Sequence, residues 1–529
     1  MAARDTVEVD GYVGGGLSKE TNWWGAFVVG LAGTILVLGV TPPVLAGLGS
    51  AALPNFLFWS LTGWLLCMFL AEMAAMLPER TGGAPAYAYY AFRERLPRAY
   101  PHINGVTAWM YWLGWFPVVA VNMLLTGAYL PVLFGFTDRT RTFQLLSSGA
   151  PVSVFTLAVG AFLAVLLLSA ALMGIRFGTR IATVLAVITI VPLTLMALLP
   201  FFHPSSISAG HILPLRLPDG SGFLTGTALF LFLQFSALFT WNVIAMEAAA
   251  CYIGECRDPA RDAPIAMNLE GGYGVFIYTV LPFSVLAVVG IGGVKADPLA
   301  LFAGFAGRVV DVPVIARVVT VLLIVALALS SLNAIMGCAR SLHQMSLDGQ
   351  APRILSHVNR HNVPDAAMSL NVVLNIFLIF FGAPATIYIF SNVGYVGSFV
   401  PVLLGYYFLR RWHPDLRRPY RLPEWMKYLA LGLAALYFVV WAAGIPACAI
   451  AGCVAGGGFA YLVGLAVVGA YFPLYWWRRM RDRRRAPDAE PAPEPAGVTL
   501  AGVAQPLVGL HGVTPTGDGR SEAGHGADC

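Results

Sequence analysis

The chain has 529 residues, of which 58% are hydrophobic and 11% are charged, and its formal net charge is +5. An average soluble domain carries about 25% charged residues, so the composition excludes an ordinary soluble protein. The small net charge, with the basic residues confined to particular loops, argues against a nucleic-acid partner.

Long apolar segments predict an all-α integral membrane protein with about twelve transmembrane helices. A helix needs about 20 mostly apolar residues to cross the hydrocarbon layer, and most of these segments lack the polar stripe of a soluble helix. In chain order the predicted spans are 24–47, 55–76, 105–134, 152–172, 181–202, 223–253, 269–294, 314–342, 366–381, 385–409, 428–450 and 457–477.

The basic residues predict the orientation of the chain. Most of the 32 lysines and arginines fall on one side of the membrane if both termini share that side, and cytoplasmic loops are the ones enriched in such residues. We therefore expect a cytoplasmic segment 1–23, a membrane domain 24–477 and a cytoplasmic tail 478–529. The tail begins with a basic cluster expected at anionic headgroups and continues as a disordered Ala-, Pro- and Gly-rich stretch.

The seven cysteines show no C-x-x-C spacing or disulfide framework. Cys448 and Cys453 lie near a predicted outer loop, where a disulfide is one alternative, but the pattern favours unpaired cysteines. The sequence also has no nucleotide-binding loop, zinc motif or nucleophile with its base. We expect no cofactor, no metal and no enzyme activity.

The first span contains strong helix breakers at Gly39, Pro42 and Pro43. Proline removes a backbone donor and glycine permits unusual dihedral angles. A broken helix at membrane depth is tolerated only beside protein or a water-filled cavity. A simple proline kink is the alternative interpretation.

The sixth span is unusually polar near its middle, where Trp241 and Asn242 precede Glu247. A carboxylate inside an apolar span is costly and is usually functional; the alternative is a buried residue that packs helices together. Because the first and sixth spans are five apart, they occupy corresponding positions in a chain built from two inverted repeats of five helices. Such a chain holds its solute between the broken helices near the bilayer midplane.

Three stretches resemble one known family. Residues 71–87 contain Glu72, a proline, the pair Gly82-Gly83 and a tyrosine; residues 254–264 contain a Glu, Asp-Pro, basic, Pro pattern; residues 339–352 run from Arg340 through Asp-Gly to a proline. Together these stretches are similar to the amino acid–polyamine–organocation transporters, over about residues 22–477.

The resemblance implies a five-plus-five inverted-repeat core with discontinuous helices 1 and 6, over 24–202 and 223–409, followed by two extra helices over 428–477. It also implies alternating access around a central site. It places the unwound turn of the first helix at about 37–41, where this chain keeps only one of the family's glycines, and makes Trp241 the aromatic gate before an unwound turn at 242–245.

On this basis we expect three groups of site residues. The expected substrate-binding residues are Leu38, Gly39, Val40, Thr41, Trp115, Trp241, Asn242, Ile244, Ala245 and Asn333. Trp115 has an alternative role in an interfacial aromatic belt. The expected gating or structural residues are Glu72, Gly82, Gly83, Glu247 and Arg340, with side chains that reach toward the membrane surface as the alternative for the charged ones.

Ser330 and Ser331 are the candidate ligands of a coupling ion. They resemble the sodium site of sodium-coupled relatives, and the fifth span lacks the lysine that replaces sodium in some proton-coupled ones. Hydrogen bonding between helices is the alternative role of the two serines. Coupling to protons, or exchange without an ion, stays open.

The leading hypothesis is a secondary transporter that moves an amino acid or related amine by alternating access, driven by a sodium or proton gradient or by exchange. The partners are then the small-molecule substrate, the lipid bilayer and the coupling ion. The alternatives are a membrane sensor that binds the solute without moving it, and a channel. The high Ala, Gly and Arg content with few lysines indicates a bacterial inner membrane.

Overall fold

The computed structural model describes residues 6–9, 12–15, 17, 19–78, 80–93, 95–144, 151–296, 301–310, 314–382, 384–450 and 456–485. The predicted disordered part of the tail, 486–529, lies outside these residues. Across the described residues the chain is almost entirely helical. Its few strands form two hairpins, Thr6–Val9 (β1) with Tyr12–Gly15 (β2) and Thr142–Phe143 (β3) with Val152–Ser153 (β4).

The helices of the first half correspond to the first five predicted spans and their connections. They are Trp23–Thr34 (α1), Val37–Leu48 (α2), Ala52–Met76 (α3), Ala84–Arg93 (α4), Tyr100–Trp115 (α5), Val118–Phe134 (α6), Val154–Ala171 (α7) and Ile175–Phe202 (α8). Short 3₁₀ turns follow α2 and α8, at Gly49–Ala51, Pro204–Ser206 and Ala209–His211.

The helices of the second half carry the remaining spans. They are Gly226–Ile244 (α9), Pro259–Ala296 (α10), Leu301–Val309 (α11), Val314–Leu347 (α12), Asp365–Ile379 (α13), Pro384–Trp412 (α14), Met426–Val439 (α15), Ile445–Ile450 (α16), Gly457–Gly469 (α17) and Tyr471–Arg485 (α18). A 3₁₀ segment, Ala245–Glu255, follows α9, a 3₁₀ turn, Arg353–Ser356, follows α12, and a π-helical turn, Val440–Gly444, joins α15 to α16.

The membrane fold is confirmed. Within the described residues, ten helical segments are long and apolar enough to cross a bilayer. The first of them, Trp23–Met76, has 54 residues and contains the first two predicted spans, and the shorter apolar helix Asp365–Ile379 matches the predicted ninth span. Large apolar side chains such as Phe162 and Val184 point outward from α7 and α8, as lipid contact requires.

The first span is discontinuous, but its break lies earlier than we expected. Helix α1 ends at Thr34 and α2 begins at Val37, so the interruption falls on Ile35 and Leu36. The expectation of an unwound turn at 37–41 is therefore wrong, because these residues are helical and Pro42 and Pro43 lie inside the same helix. The fixed φ of proline is compatible with a helix, although each proline removes the bond to the carbonyl four residues earlier and its ring crowds that carbonyl.

The sixth span changes helix type where the polar stretch ends. The α-helical geometry of α9 continues through Ile244, and the 3₁₀ segment begins at Ala245. Residues 242–244 are thus still α-helical, and only Ala245 of the expected unwound turn lies in the altered backbone. A long 3₁₀ run is rare and often marks a hinge or a strained segment.

The expectation of unpaired cysteines is wrong for Cys448, which is disulfide-bonded, whereas Cys67, Cys251, Cys256 and Cys338 are free. Cys453 lies outside the described residues.

In the basic cluster at the end of the chain, Arg479, Arg481, Arg483 and Arg484 are exposed, whereas Arg478 is buried. Its Nη1 donates to the Ala351 carbonyl at 2.5 Å, and its Nε donates to Asp482, which also pairs with Arg353.

Candidate functional site

A cavity of about 240 Å³ lies against the break in the first span. Five of the spans contribute to its wall: the first, third, sixth, eighth and tenth. The residues that line it are Ile35, Leu36, Leu38, Gly39, Val40, Pro42, Pro43, Asn122, Leu125, Tyr129, Leu238, Asn242, Leu323, Ala326, Leu327, Ser330, Pro384 and Tyr388. Among the described residues, none that lines it is charged.

Three buried polar atoms of the wall have no hydrogen-bond partner among the described residues. They are Asn122 Oδ1, Asn242 Oδ1 and Ser330 Oγ. The amide nitrogens are already used: Asn242 Nδ2 donates to the Leu238 carbonyl at 2.9 Å, and Asn122 Nδ2 donates at 3.2 Å to a carbonyl of α12. Because a buried unpaired polar atom costs free energy, these atoms are suited to a polar ligand.

The two prolines of α2 add further acceptors to the same wall. Proline has no N–H, so Pro42 and Pro43 cannot donate to the carbonyls of Leu38 and Gly39, their partners four residues earlier. Both of those residues line the cavity. The free polar groups around it are therefore mostly hydrogen-bond acceptors.

The two discontinuous spans touch each other at their breaks. Gly33 lies just before the break in the first span, and a Cβ added to it would be 1.9 Å from the carbonyl oxygen of Ala245, the first residue of the 3₁₀ segment. Only glycine allows the backbones to approach so closely. The backbones of α1 and the 3₁₀ segment are therefore in direct contact at the two breaks.

Trp241 lies behind the cavity wall rather than in it. It is 1% exposed, its Nε1 donates to the Gly114 carbonyl at 3.2 Å, and its ring centroid is 5.3 Å from that of Tyr388, which does line the cavity. Trp115 and Tyr395 pack beside it, at centroid distances of 6.4 and 5.7 Å. These rings form an aromatic layer on one side of the cavity.

Glu247 fastens this layer to the 3₁₀ segment. Its Oε1 accepts hydrogen bonds from the hydroxyls of Tyr111 at 2.7 Å and Tyr395 at 2.9 Å, and from Trp115 Nε1 at 3.4 Å. Its Oε2 has no partner among the described residues. The carboxyl group is fully buried and does not line the cavity.

The remaining expected substrate residues lie close to the cavity but outside its wall. Thr41 donates its hydroxyl to the Val37 carbonyl at 2.7 Å. Ile244 and Ala245 are fully buried at the junction of α9 with the 3₁₀ segment. Asn333 Oδ1 accepts from the Tyr252 hydroxyl at 2.6 Å. Of all the expected substrate-binding residues, only Leu38, Gly39, Val40 and Asn242 line the cavity.

The serine pair divides between two roles. Ser331 donates to the Leu327 carbonyl at 2.8 Å and accepts from Asn122 Nδ2 at 3.2 Å, which is ordinary hydrogen bonding within and between helices. Ser330 lines the cavity with an unpartnered hydroxyl. Only one of the two hydroxyls is therefore available to a ligand.

The charged residues Glu72 and Arg340, expected to have a gating or structural role, lie in separate clusters. Glu72 accepts from Arg410 Nε at 3.0 Å and pairs with Arg418 at 3.2 Å. Arg340 forms a fully buried ion pair with Glu255, in which Nη2 and Oε2 are 2.9 Å apart.

The glycine pair packs against these clusters. Both Gly82 and Gly83 have positive φ, and Cβ atoms added to them would lie 3.1 Å from the Arg340 carbonyl and 2.7 Å from the Tyr111 hydroxyl, respectively. The turn thus needs glycine for its dihedral angles and for its close contacts.

Comparisons with known proteins agree with this architecture. A family model described as amino acid permease matches residues 22–470. A probable GABA permease of Pseudomonas aeruginosa is 26% identical over 376 residues, which are 69% of this chain and 72% of the relative. L-asparagine permease of Escherichia coli is 24% identical over 399 residues, 71% and 72%. The branched-chain amino acid permease BcaP of Bacillus subtilis is 24% identical over 429 residues, 75% and 83%.

The fold defines a multi-pass membrane protein in which two discontinuous spans lie beside a cavity, a combination found in transporters. The match over residues 22–470 shows that the chain belongs to the amino acid permease family, within the amino acid–polyamine–organocation superfamily. The resemblance of the three sequence stretches is confirmed. The relatives are named for transport rather than for a chemical reaction, which supports an amino acid transporter and not an enzyme.

Proposed function

We propose that this permease carries a neutral amino acid with an apolar side chain, and that the amino acid binds in the cavity beside the first-span break. The observation that carries the proposal is the set of unpaired acceptors in an otherwise apolar wall: Asn122 Oδ1, Asn242 Oδ1 and Ser330 Oγ, with the carbonyls of Leu38 and Gly39. Acceptors in this arrangement suit an ammonium group, which has three donors and no acceptor.

The rest of the wall supports the choice of a neutral substrate. Apolar residues such as Leu125, Leu238 and Leu323 would hold the side chain of the amino acid. A charged side chain would lie without a counter-ion, which is costly in a low-dielectric site.

Alternating access would use the two breaks as hinges. In the proposed orientation, with both termini in the cytoplasm of a bacterial cell, the Trp241 layer lies on the cytoplasmic side of the cavity. Movement of α1 with the 3₁₀ segment, coupled through Gly33 and Ala245, would displace this layer and open the cavity inward. Tyr388 would then act as the contact between the bound substrate and the layer.

Transport would be driven by an ion gradient or by exchange of one amino acid for another. The serine pair gives limited support to a sodium site, because Ser331 already donates to Leu327. Ser330 is better placed to contact the substrate itself.

The proposed function is tested by counterflow, the exchange of external labelled for internal unlabelled amino acid, in proteoliposomes. We expect saturable counterflow of neutral apolar amino acids, weaker counterflow of basic and acidic ones, and none in protein-free liposomes. Absence of counterflow across the panel, with ligand binding intact, would refute transport and favour the sensor.

A matched pair of variants locates the site. Asn242→Leu removes an unpaired acceptor of the wall, whereas Asn268→Leu removes an asparagine outside it whose Nδ2 likewise donates to the carbonyl four residues earlier, at 2.8 Å. A hydrogen bond to a charged group contributes about 1.5–3 kcal/mol. We expect Asn242→Leu to raise the substrate concentration for half-maximal counterflow about 10- to 100-fold. Asn268→Leu should leave this concentration within about twofold of wild type. Equal effects would place the substrate elsewhere.

A further inference from the structure

Glu270 is another buried carboxyl group of the membrane domain, and no feature of the sequence drew attention to it. It lies in α10 and is fully buried. Its Oε2 accepts a hydrogen bond from the Ala249 amide of the 3₁₀ segment at 3.0 Å, and its Oε1 has no partner among the described residues. Among the described residues, no arginine, lysine or histidine forms an ion pair with Glu270.

Glu270 packs closely against α1 and the 3₁₀ segment. A Cβ added to Gly30 of α1 would lie 2.7 Å from Glu270 Oε2 and 2.6 Å from the Ala249 nitrogen. The carboxyl group is therefore enclosed where α1, α10 and the 3₁₀ segment meet. Two of them, α1 and the 3₁₀ segment, are the segments whose movement would open the cavity.

The titratable groups near enough to Glu270 to interact with it electrostatically provide no positive charge. From the 3₁₀ segment they are Glu247, Cys251 and Tyr252, and from α3 it is Cys67. Helix α1 presents Gly30. Arg340 is the nearby cation of the 3₁₀ region, and it is already held by Glu255.

A carboxylate without a counter-ion, and with one oxygen unpaired, is strongly disfavoured in such a place and takes up a proton. If α1 and the 3₁₀ segment move together away from α10, the Ala249 hydrogen bond breaks and water reaches the group. Ionisation then becomes favourable, and the proton leaves on the side that has opened.

We propose that Glu270 is the proton-binding site that couples this permease to the pH gradient, protonated in the closed arrangement and ionised when the 3₁₀ segment moves away. The inference rests on the proposed function and adds the coupling ion and its position. Glu247 is less suited to this part, because three donors already hold its Oε1.

A first test needs no variant and uses the full chain in proteoliposomes. Dicyclohexylcarbodiimide reacts with protonated carboxyl groups in apolar sites: the acid proton moves to a carbodiimide nitrogen, the carboxyl oxygen bonds to the central carbon, and the adduct rearranges to an N-acylurea. Mass spectrometry should find the adduct at Glu270 and not at Glu72 or Glu255, which are buried but ion-paired. No adduct at Glu270 under conditions that support counterflow overturns the proposal.

A second test compares wild type with Glu270→Gln, which keeps an acceptor for the Ala249 amide and cannot ionise. We expect both proteins to perform counterflow at rates within about threefold, because exchange needs no net movement of protons. With one proton per substrate, an imposed gradient of one pH unit should sustain up to about tenfold accumulation in wild type. In the variant we expect the internal substrate concentration to stay about equal to the external one.

The outcomes separate this inference from the proposed function. Failure of wild-type counterflow refutes the proposed function. Wild-type counterflow with accumulation driven by sodium alone, or with pH-driven accumulation that Glu270→Gln retains, overturns the coupling role. Loss of counterflow together with accumulation in a variant that still binds amino acid also overturns it, since Glu270 would then be structural.

Discussion

The contact between the two broken spans can be tested by adding one methyl group at Gly33. In Gly33→Ala the new Cβ would lie 1.9 Å from the Ala245 carbonyl oxygen, 2.7 Å from its carbonyl carbon and 3.2 Å from its Cβ. Real Cβ atoms essentially never approach closer than 3.0 Å, so α1 and the 3₁₀ segment must separate by at least about 1.1 Å. The obstacle is backbone, which cannot rotate away as a side chain can.

Overpacking of this kind costs about 1–3 kcal/mol, which lowers the population of the closed arrangement about 5- to 150-fold. We expect counterflow by Gly33→Ala to fall by a factor of about 10 to 100. The matched control is Gly272→Ala in α10, where an added Cβ meets nothing within 4 Å and alanine favours the helix. Counterflow by Gly33→Ala within twofold of this control, at equal protein content, would refute the close contact of the breaks.

Three further predictions concern other parts of the site. Gly39→Val should weaken transport of large apolar amino acids more than that of small ones, measured by competition, because Gly39 lines the cavity and its added Cβ would be 3.5 Å from the Tyr388 hydroxyl. Trp241→Ala should lower the thermal midpoint and abolish counterflow, since loss of a buried aromatic side chain costs about 3–5 kcal/mol. Arg340→Met should cost about 3–5 kcal/mol by leaving Glu255 unpaired, and adding Glu255→Gln should restore part of the thermal midpoint; equal midpoints for the single and double variants would contradict this.

The spans were predictable from the sequence because their cause is local. Each span must satisfy its backbone polar groups by hydrogen bonds within the helix and present apolar side chains to lipid. A run of consecutive apolar residues meets this requirement, and such a run is visible in the sequence. A break in the first span was predicted from Gly39, Pro42 and Pro43, but it lies at Ile35 and Leu36, and both prolines lie inside α2. The position of the break was not predictable from the prolines, because the surrounding fold holds them in a helix despite the lost hydrogen bonds and the crowding that proline brings.

The contacts between spans escaped prediction because they join residues far apart in the chain. Glu72 was identified as a charged residue of interest, but its partner Arg410 lies 338 residues later. Nothing near Gly33 distinguishes it from other glycines of apolar helices, although it makes the closest contact between the breaks.

The polarity of the site was only partly visible in the sequence. Asn122 stands out as a polar residue in an apolar span, and it does line the cavity. Trp241 stands out equally, yet it packs behind Tyr388. Whether a side chain reaches the cavity depends on how its helix is rotated about its axis. A buried span has apolar residues on every face, so its sequence does not indicate that rotation.

The most direct test of the central claim is an experimental structure of the protein with a neutral apolar amino acid bound. We predict density in the cavity beside the first-span break, with the ammonium group within hydrogen-bonding distance of Asn242 Oδ1 and of the Leu38 or Gly39 carbonyl. Density on the other side of the Trp241 layer, next to Glu247, with this cavity empty, would contradict the account.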